Sequence, residues 1–290
     1  MAVNRFWQQI FGTGLVKTSE DFGSQGEPPS HPLLLDHLAI DFRQNGWNVN
    51  ELIKSMVTSE AYQRSSQSSQ QAQEIDPENR FLARGPRHRL DAEVLRDQAL
   101  ALAGLLRSDV VGGPSVKPPQ PAGLWLAVGY SGSNTVKFTA DTADEKVHRR
   151  SVYIFWKRTS APPTMTTFDA PSRESCTARR ERTNTPMQAL LLMNETQYLQ
   201  AAKHLGQRVL QQSELANDQQ RLAWLFETVT MRPPSEFESR ELSQLLADLK
   251  EHFAADTEAT KQFVGQASVE KAAWTMIAST MLNLDEVVSN

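Results

Sequence analysis

Cysteine is almost missing from this 290-residue chain, in which Cys176 stands alone. A single thiol excludes an internal disulfide, a Cys-x-x-Cys-His haem attachment and a cysteine-rich zinc site within these residues. Long apolar runs are also missing. Stretches such as Ala189 to Met193 fall well short of the roughly 18 to 20 residues that cross a bilayer. There is no excess of charge of one sign either. A net charge of −4, with 39% hydrophobic and 22% charged residues, fits a soluble globular protein and argues against a dedicated nucleic-acid binder, whose domain would be strongly basic. No repeat of fixed period occurs. Phe22 to Gly26 contains two glycines but neither phosphate-loop spacing nor a preceding strand, so it reads as a turn.

The start of the chain lacks the basic, apolar and small-residue regions of a signal peptide. Val3, Phe6, Trp7, Ile10 and Phe11 instead follow helical spacing. A helix-like pattern with no capping lead-in predicts that another segment normally precedes it. A second helix is expected from Pro32 to Phe42 with Ser30 as N-cap, and a third after Asn50. Ser65 to Gln73 has nothing to bury and reads as an exposed loop. Asp91 opens a helix with Val94, Leu95, Leu102 and Leu105 on its buried side, stopped by Gly112-Gly113-Pro114.

From about 122 to 183 the helical period disappears. Leu124 to Val128 and Val152 to Trp156 are short apolar pieces among turn residues, and both short strands and irregular coil fit them. Helices return at Thr185-Pro186, with a break near Asn194, then over Asp218 to Met231. Ser235 with Glu238 forms a capping-box pattern, and a last helix over 267–282 turns Ala272, Ala273, Met276, Ile277, Thr280 and Met281 inward. The expected fold is mainly α, a multi-helix, bundle-like architecture with an irregular insert around 110–183. It is expected as one domain over 1–290 with two lobes, 1–213 and 214–290.

The most unusual composition lies between Lys146 and Arg182. Arg149, Arg150, Arg158, Arg173, Arg179, Arg180 and Arg182, with Lys146 and Lys157, face only Asp169, Glu174 and Glu181, a local charge of +6. Tyr153, Phe155, Trp156, Met165 and Phe168 are interleaved. Guanidinium groups grip carboxylate, sulfate or phosphate with paired hydrogen bonds and stack on aromatic rings. The segment is therefore a candidate binding site for an anionic ligand or partner surface. The competing reading makes the same arginines structural, satisfying loop carbonyls or pairing with the acidic remainder of the chain.

Other candidates are weaker. His31, Asp36 and His37 lack the three- or four-residue spacing that sets ligands on one helical face. Cys176 has cationic neighbours that would favour thiolate, but no base at a recognisable spacing. Asp169 and Glu174 form a carboxylate pair of the kind acid–base catalysis uses, and such pairs are common in any chain.

A series of motifs runs the length of the chain. Val3 to Val16 and Asp21 to Asp36 come first, then Arg84-Gly85-Pro86-Arg87 with Arg89-Leu90 and Glu93. His148 to Arg158, Phe168 to Glu174, Thr183 to Leu190 and Leu282 to Glu286 follow. Together they resemble the planctomycete domain of unknown function found at the C-terminus of large exported proteins that often carry a cytochrome c-like domain upstream. The resemblance implies a periplasmic or exported parent protein, haem only in an upstream domain, no cofactor in this chain, and an N-terminally truncated form here. It supplies no catalytic residues. Three functions follow as expectations: an accessory module that holds upstream domains or an anionic polysaccharide, an enzyme acting on anionic or sulfated carbohydrate, or an electron-transfer partner surface near Tyr153 and Trp156.

Overall fold

The computed structural model describes residues 1–120, 139–157 and 161–289. They divide into two compact units, one of residues 1–88 with 176–181 and one of residues 89–175 with 182–289. The described fold is mainly α. Helices either side of residue 214 share a single core, so the division falls elsewhere than between the two lobes expected there.

The first unit contains α1 (Ala2–Phe11), α2 (Pro32–Gln44), α3 (Val49–Val57) and the short α4 (Gln70–Ile75). Val3, Trp7, Leu15, Leu38, Phe42, Leu52 and Met56 form its core. Trp7 stacks on Phe11 at 4.0 Å. The loop after α1 has no sheet partner, and buried Asn4 takes that role. Its Nδ2 donates to the Val16 carbonyl at 3.0 Å, and its Oδ1 accepts from the Val16 amide at 2.8 Å. Two expected caps differ. Ser30 does not cap α2, because its hydroxyl donates to the Leu15 carbonyl at 3.3 Å. The cap of α3 is Asn48, whose side chain accepts from Asn50 N and Glu51 N. The loop expected over 65–73 yields at its end to α4, which is capped by Ser69 and has no buried residue.

The second unit holds α5 (Ala92–Leu102), α6 (Asp144–Val147), α7 (Pro163–Thr167), α8 (Pro186–Asn194) and α9 (Thr196–Gln211). It continues with α10 (Asp218–Thr230), α11 (Glu236–Ala255), α12 (Thr257–Val264), α13 (Val269–Leu282) and α14 (Asp285–Val288). The break expected near Asn194 falls at Glu195, whose ψ of 141° ends α8 and whose carboxylate caps α9. The capping box of Ser235 and Glu238 opens α11. Ala202, Leu205, Val209, Leu225, Trp274, Ile277 and Met281 lie at the centre of one apolar cluster. Leu95, Ala99, Val116, Ile154, Phe168, Leu192 and Tyr198 belong to another. Val94, expected inside, is exposed, while Leu102 and Leu105 are only partly buried.

Among the described residues the irregular stretch contains no strand. Isolated bridges pair Arg107 with Arg149 and Val116 with Ile154. The Leu124 to Val128 piece lies outside the described residues.

Close approach of α9 and α13 depends on small residues. A Cβ at Gly206 would sit 2.8 Å from the Trp274 carbonyl oxygen and 2.9 Å from its carbon. Gly to Ala inside a helix ordinarily stabilises by about 1 kcal/mol. Here backbone atoms block the methyl, and overpacking costs about 1–3 kcal/mol. Gly206→Ala is therefore expected to lower stability in urea denaturation, reversing the usual sign.

Arg232 joins two carboxylates, Glu238 at 2.6 Å and Glu286 at 2.8 Å, and lies over the Phe226 ring. Hydrogen bonding to Arg232 lowers the Glu238 carboxyl from 4.5 to about 2. A depressed folded-state pKa gives stability that is present above the unfolded value and lost as pH falls through the folded one. The stability difference between the native chain and Arg232→Met should therefore shrink as pH is lowered from about 4.5 towards about 2. Chemical denaturation across that range measures it.

Candidate functional site

The cationic segment is organised from α5. Ala92, Leu95, Ala99, Leu100 and Ala103 form the buried stripe of this helix, and Arg96 falls within it at 2% exposure. Its Nη2 donates to the Val147 carbonyl. Its Nη1 donates to the Arg149 carbonyl at 2.9 Å and to Ser151 Oγ at 3.1 Å. Nε donates to Gln197 Oε1 at 2.7 Å. Asp97 completes the arrangement by accepting from Ser151 N at 2.8 Å and Ser151 Oγ at 2.6 Å. Burial pushes the Arg96 pKa down, opposed first by Asp97. Burial raises that of Glu195, opposed by its hydrogen bonds to Gln197 and Tyr198. This fork fixes the start of the expected site through carbonyls that no β-ladder satisfies.

Arg149 repeats the device. Its guanidinium donates to the Pro114 carbonyl at 2.8 Å and to the Gly112 carbonyl, and it stacks on the Tyr153 ring at 4.2 Å. The Tyr153 hydroxyl accepts from the Gly112 amide at 2.9 Å. Arg149 is buried, so this member of the predicted ligand set is a structural strut. Its neighbour Arg150 is exposed. His148 is also buried, and that burial lowers its pKa.

A second group gathers at the N-terminal end of α5, where Asp91 is the cap residue and Glu93 lies in the first turn. Arg182 approaches Asp91 at 3.6 Å, and Arg173 approaches Glu93 at 4.0 Å. The Arg173 guanidinium lies over the Trp156 ring at 4.2 Å, and Trp156 Nε1 donates to the Ser172 carbonyl at 2.9 Å. Asp169 and Arg173 adopt positive φ, 59° and 66°, a conformation uncommon outside glycine.

The two proposed acid–base carboxylates have different surroundings. Asp169 accepts from the Thr183 amide at 2.7 Å and from its hydroxyl at 2.8 Å, with Gln188 Nε2 at 3.4 Å. Glu174 is exposed. Arg179 and Arg180 belong to the first compact unit, whereas Arg149, Arg150, Tyr153, Trp156, Asp169, Arg173, Glu174 and Arg182 belong to the second. Arg179 pairs with Glu181 at 3.7 Å. Arg158 lies outside the described residues. A groove of about 550 Å³ in the first unit is lined by Met1, Arg5, Phe6, Gln9, Thr177 and Ala178, and no carboxylate lines it.

Sequence reasoning did not single out Arg96 or Asp97, and it read Asp91 only as a helix start and Glu93 only as part of a motif. A signal for Arg96 was available, since it lies four residues after Ala92 and three before Ala99, inside the small and apolar stripe of its helix. Among the described residues, no three His, Cys, Asp or Glu side chains are grouped to hold a metal ion, and no helix is long and apolar enough to cross a membrane.

These features define a mainly helical domain whose irregular segment is held by arginine forks. The match to known families agrees in giving no chemistry: residues 1–246 match the family described as PSD1, protein of unknown function (DUF1553), and the chain belongs to that family. No curated protein and no solved structure matches it.

The two adjacent arginines provide a direct test. Arg149→Ala leaves two carbonyls without their charged donor and should cost about 2–4 kcal/mol in urea denaturation. Arg150→Ala should change stability by no more than about 0.5 kcal/mol.

Proposed function

We propose that this chain is a non-catalytic accessory module of a larger exported protein of planctomycete type, holding a partner domain or an anionic ligand through Arg173. In this reading the parent protein is periplasmic or exported, any haem belongs to an upstream domain, and this chain carries no cofactor. The observation that carries the proposal is the state of Arg173. Its guanidinium is oriented by the Trp156 ring at 4.2 Å, its side chain is 44% exposed, and its carboxylate contact is loose at 4.0 Å. A stacked guanidinium keeps its N–H edges available for an incoming carboxylate or sulfate. Arg182, 3.6 Å from Asp91, adds positive charge beside the same helix end.

Catalysis on a sulfated carbohydrate has less support. General acid–base work needs two carboxylates facing a substrate site. Asp169 instead bonds Thr183 and Gln188, and Glu174 lies on the surface.

Titration of the whole chain with a sulfated polysaccharide, and separately with an acidic peptide, tests the proposal by calorimetry. Binding of one of them should weaken about tenfold in Arg173→Ala, as expected for loss of a charge-assisted hydrogen bond. The thermal midpoint should remain unchanged. Absence of binding by the native chain, or equal affinity of the variant, would overturn the proposal.

A further inference from the structure

The second unit buries an imidazole without full hydrogen bonding. His148 closes α6 at its C-terminal end, where its amide donates to the Asp144 carbonyl at 3.1 Å. The residue is 5% exposed, and its Nε2 is buried with no hydrogen-bond partner among the described residues. Its own carbonyl accepts from the Arg107 amide at 2.9 Å. The carbonyls on either side, those of Val147 and Arg149, are the ones that Arg96 holds. The ring therefore sits on the turn that ties the irregular segment to α5.

The surroundings of the ring favour its neutral form. Burial is the main cause that lowers its pKa, and Arg96 from α5 and His204 from α9 act in the same direction. A hydrogen bond to Gln200 of α9 and the charge of Asp144 oppose them. Asp144 is exposed, so water and salt screen its attraction. Arg107, whose amide meets the His148 carbonyl, has its guanidinium committed to Asp109 at 2.8 Å. A neutral imidazole carries one N–H, whereas the imidazolium carries two. In this site the charged ring holds a buried N–H with no acceptor, near a guanidinium that is already buried. Water is the remaining acceptor, and the ring reaches it by leaving its place.

We propose that His148 is an acid-sensitive latch, whose protonated ring leaves the interior and releases residues 147–151 from α5 and α9. The released turn carries Arg149, which holds the Gly112 and Pro114 carbonyls, so opening also frees the chain around Val116. The acid form then presents a cation that the neutral form keeps buried. A folded-state pKa below the ordinary 6.5 gives stability that is fully present above that value and lost as pH falls below it. One proton taken up on opening weakens closure by up to about tenfold for each pH unit. This inference does not depend on the anion-binding role of Arg173.

Hydrogen exchange of the whole chain between about pH 7.5 and about pH 5 tests it, with protection corrected for the intrinsic pH dependence of exchange. The amides of Arg107, Val116 and Phe155 should lose protection together below pH 6.5, while those of α13 keep theirs. His148→Asn, which cannot take up the proton, should hold protection at the three amides constant over the range. His204→Gln should retain a pH dependence. Magnetic resonance titration of the native imidazoles decides the matter if His148→Asn does not fold, and the His148 ring should titrate below 6.5. The latch is refuted by protection that persists to about pH 5, by equal loss in the native chain and His148→Asn, or by simultaneous loss in α13. A His148 ring that titrates at or above 6.5 refutes it as well.

Discussion

The arrangement of the second unit depends on one buried cation. Arg96 projects from an otherwise small and apolar helix stripe, and its guanidinium makes four hydrogen bonds to carbonyl, hydroxyl and amide oxygens of Val147, Arg149, Ser151 and Gln197. A guanidinium buried without partners would be prohibitive, and a carbonyl buried without a donor costs about 1–3 kcal/mol. Each group is tolerable because the other is present. The fork also ties α5, α9 and the segment from Val147 to Ser151 into one arrangement, which positions Arg149 and, beyond it, Tyr153.

The same solution recurs in other loops among the described residues. Arg80 donates to the carbonyls of Gly14 and Leu15, Arg84 to those of Asp76 and Pro77, and Arg64 to that of Leu82. Arg208 reaches the Leu102 carbonyl at the end of α5. Loops in a mostly helical protein have no ladder to satisfy their carbonyl groups, and arginine, with several donors in a planar fork, supplies two at a time. The density of arginine in this sequence therefore follows from its amount of coil. An anionic ligand explains at most the few guanidiniums left at the surface.

Local rules reached some of this and stopped at identifiable places. The 3.6-residue period located α9, α10, α11 and α13, and Thr185-Pro186 and Ser235 with Glu238 marked helix starts, because those signals lie within one turn of the chain. Ser30 was a sound capping residue by type, but the Leu15 carbonyl, fifteen residues away, took its hydroxyl. Asn48 and Asn50 are equally able to cap, and the turn at Trp47 chose the first. Arg149 and Arg150 look alike in sequence, yet one is buried and the other exposed. That difference is set by Gly112 and Pro114, which are distant in the chain. Composition gave the segment its charge, and only tertiary contacts gave each charge its role.

Hydrogen exchange on Arg96→Ala tests the central claim most directly. The amides of Arg107, Val116 and Phe155 donate across the isolated bridges to His148, Tyr153 and Val116. If the Arg96 fork anchors the segment, these three amides should lose protection together, while the amides of α13 keep theirs. Native protection at all three in the variant would contradict the account.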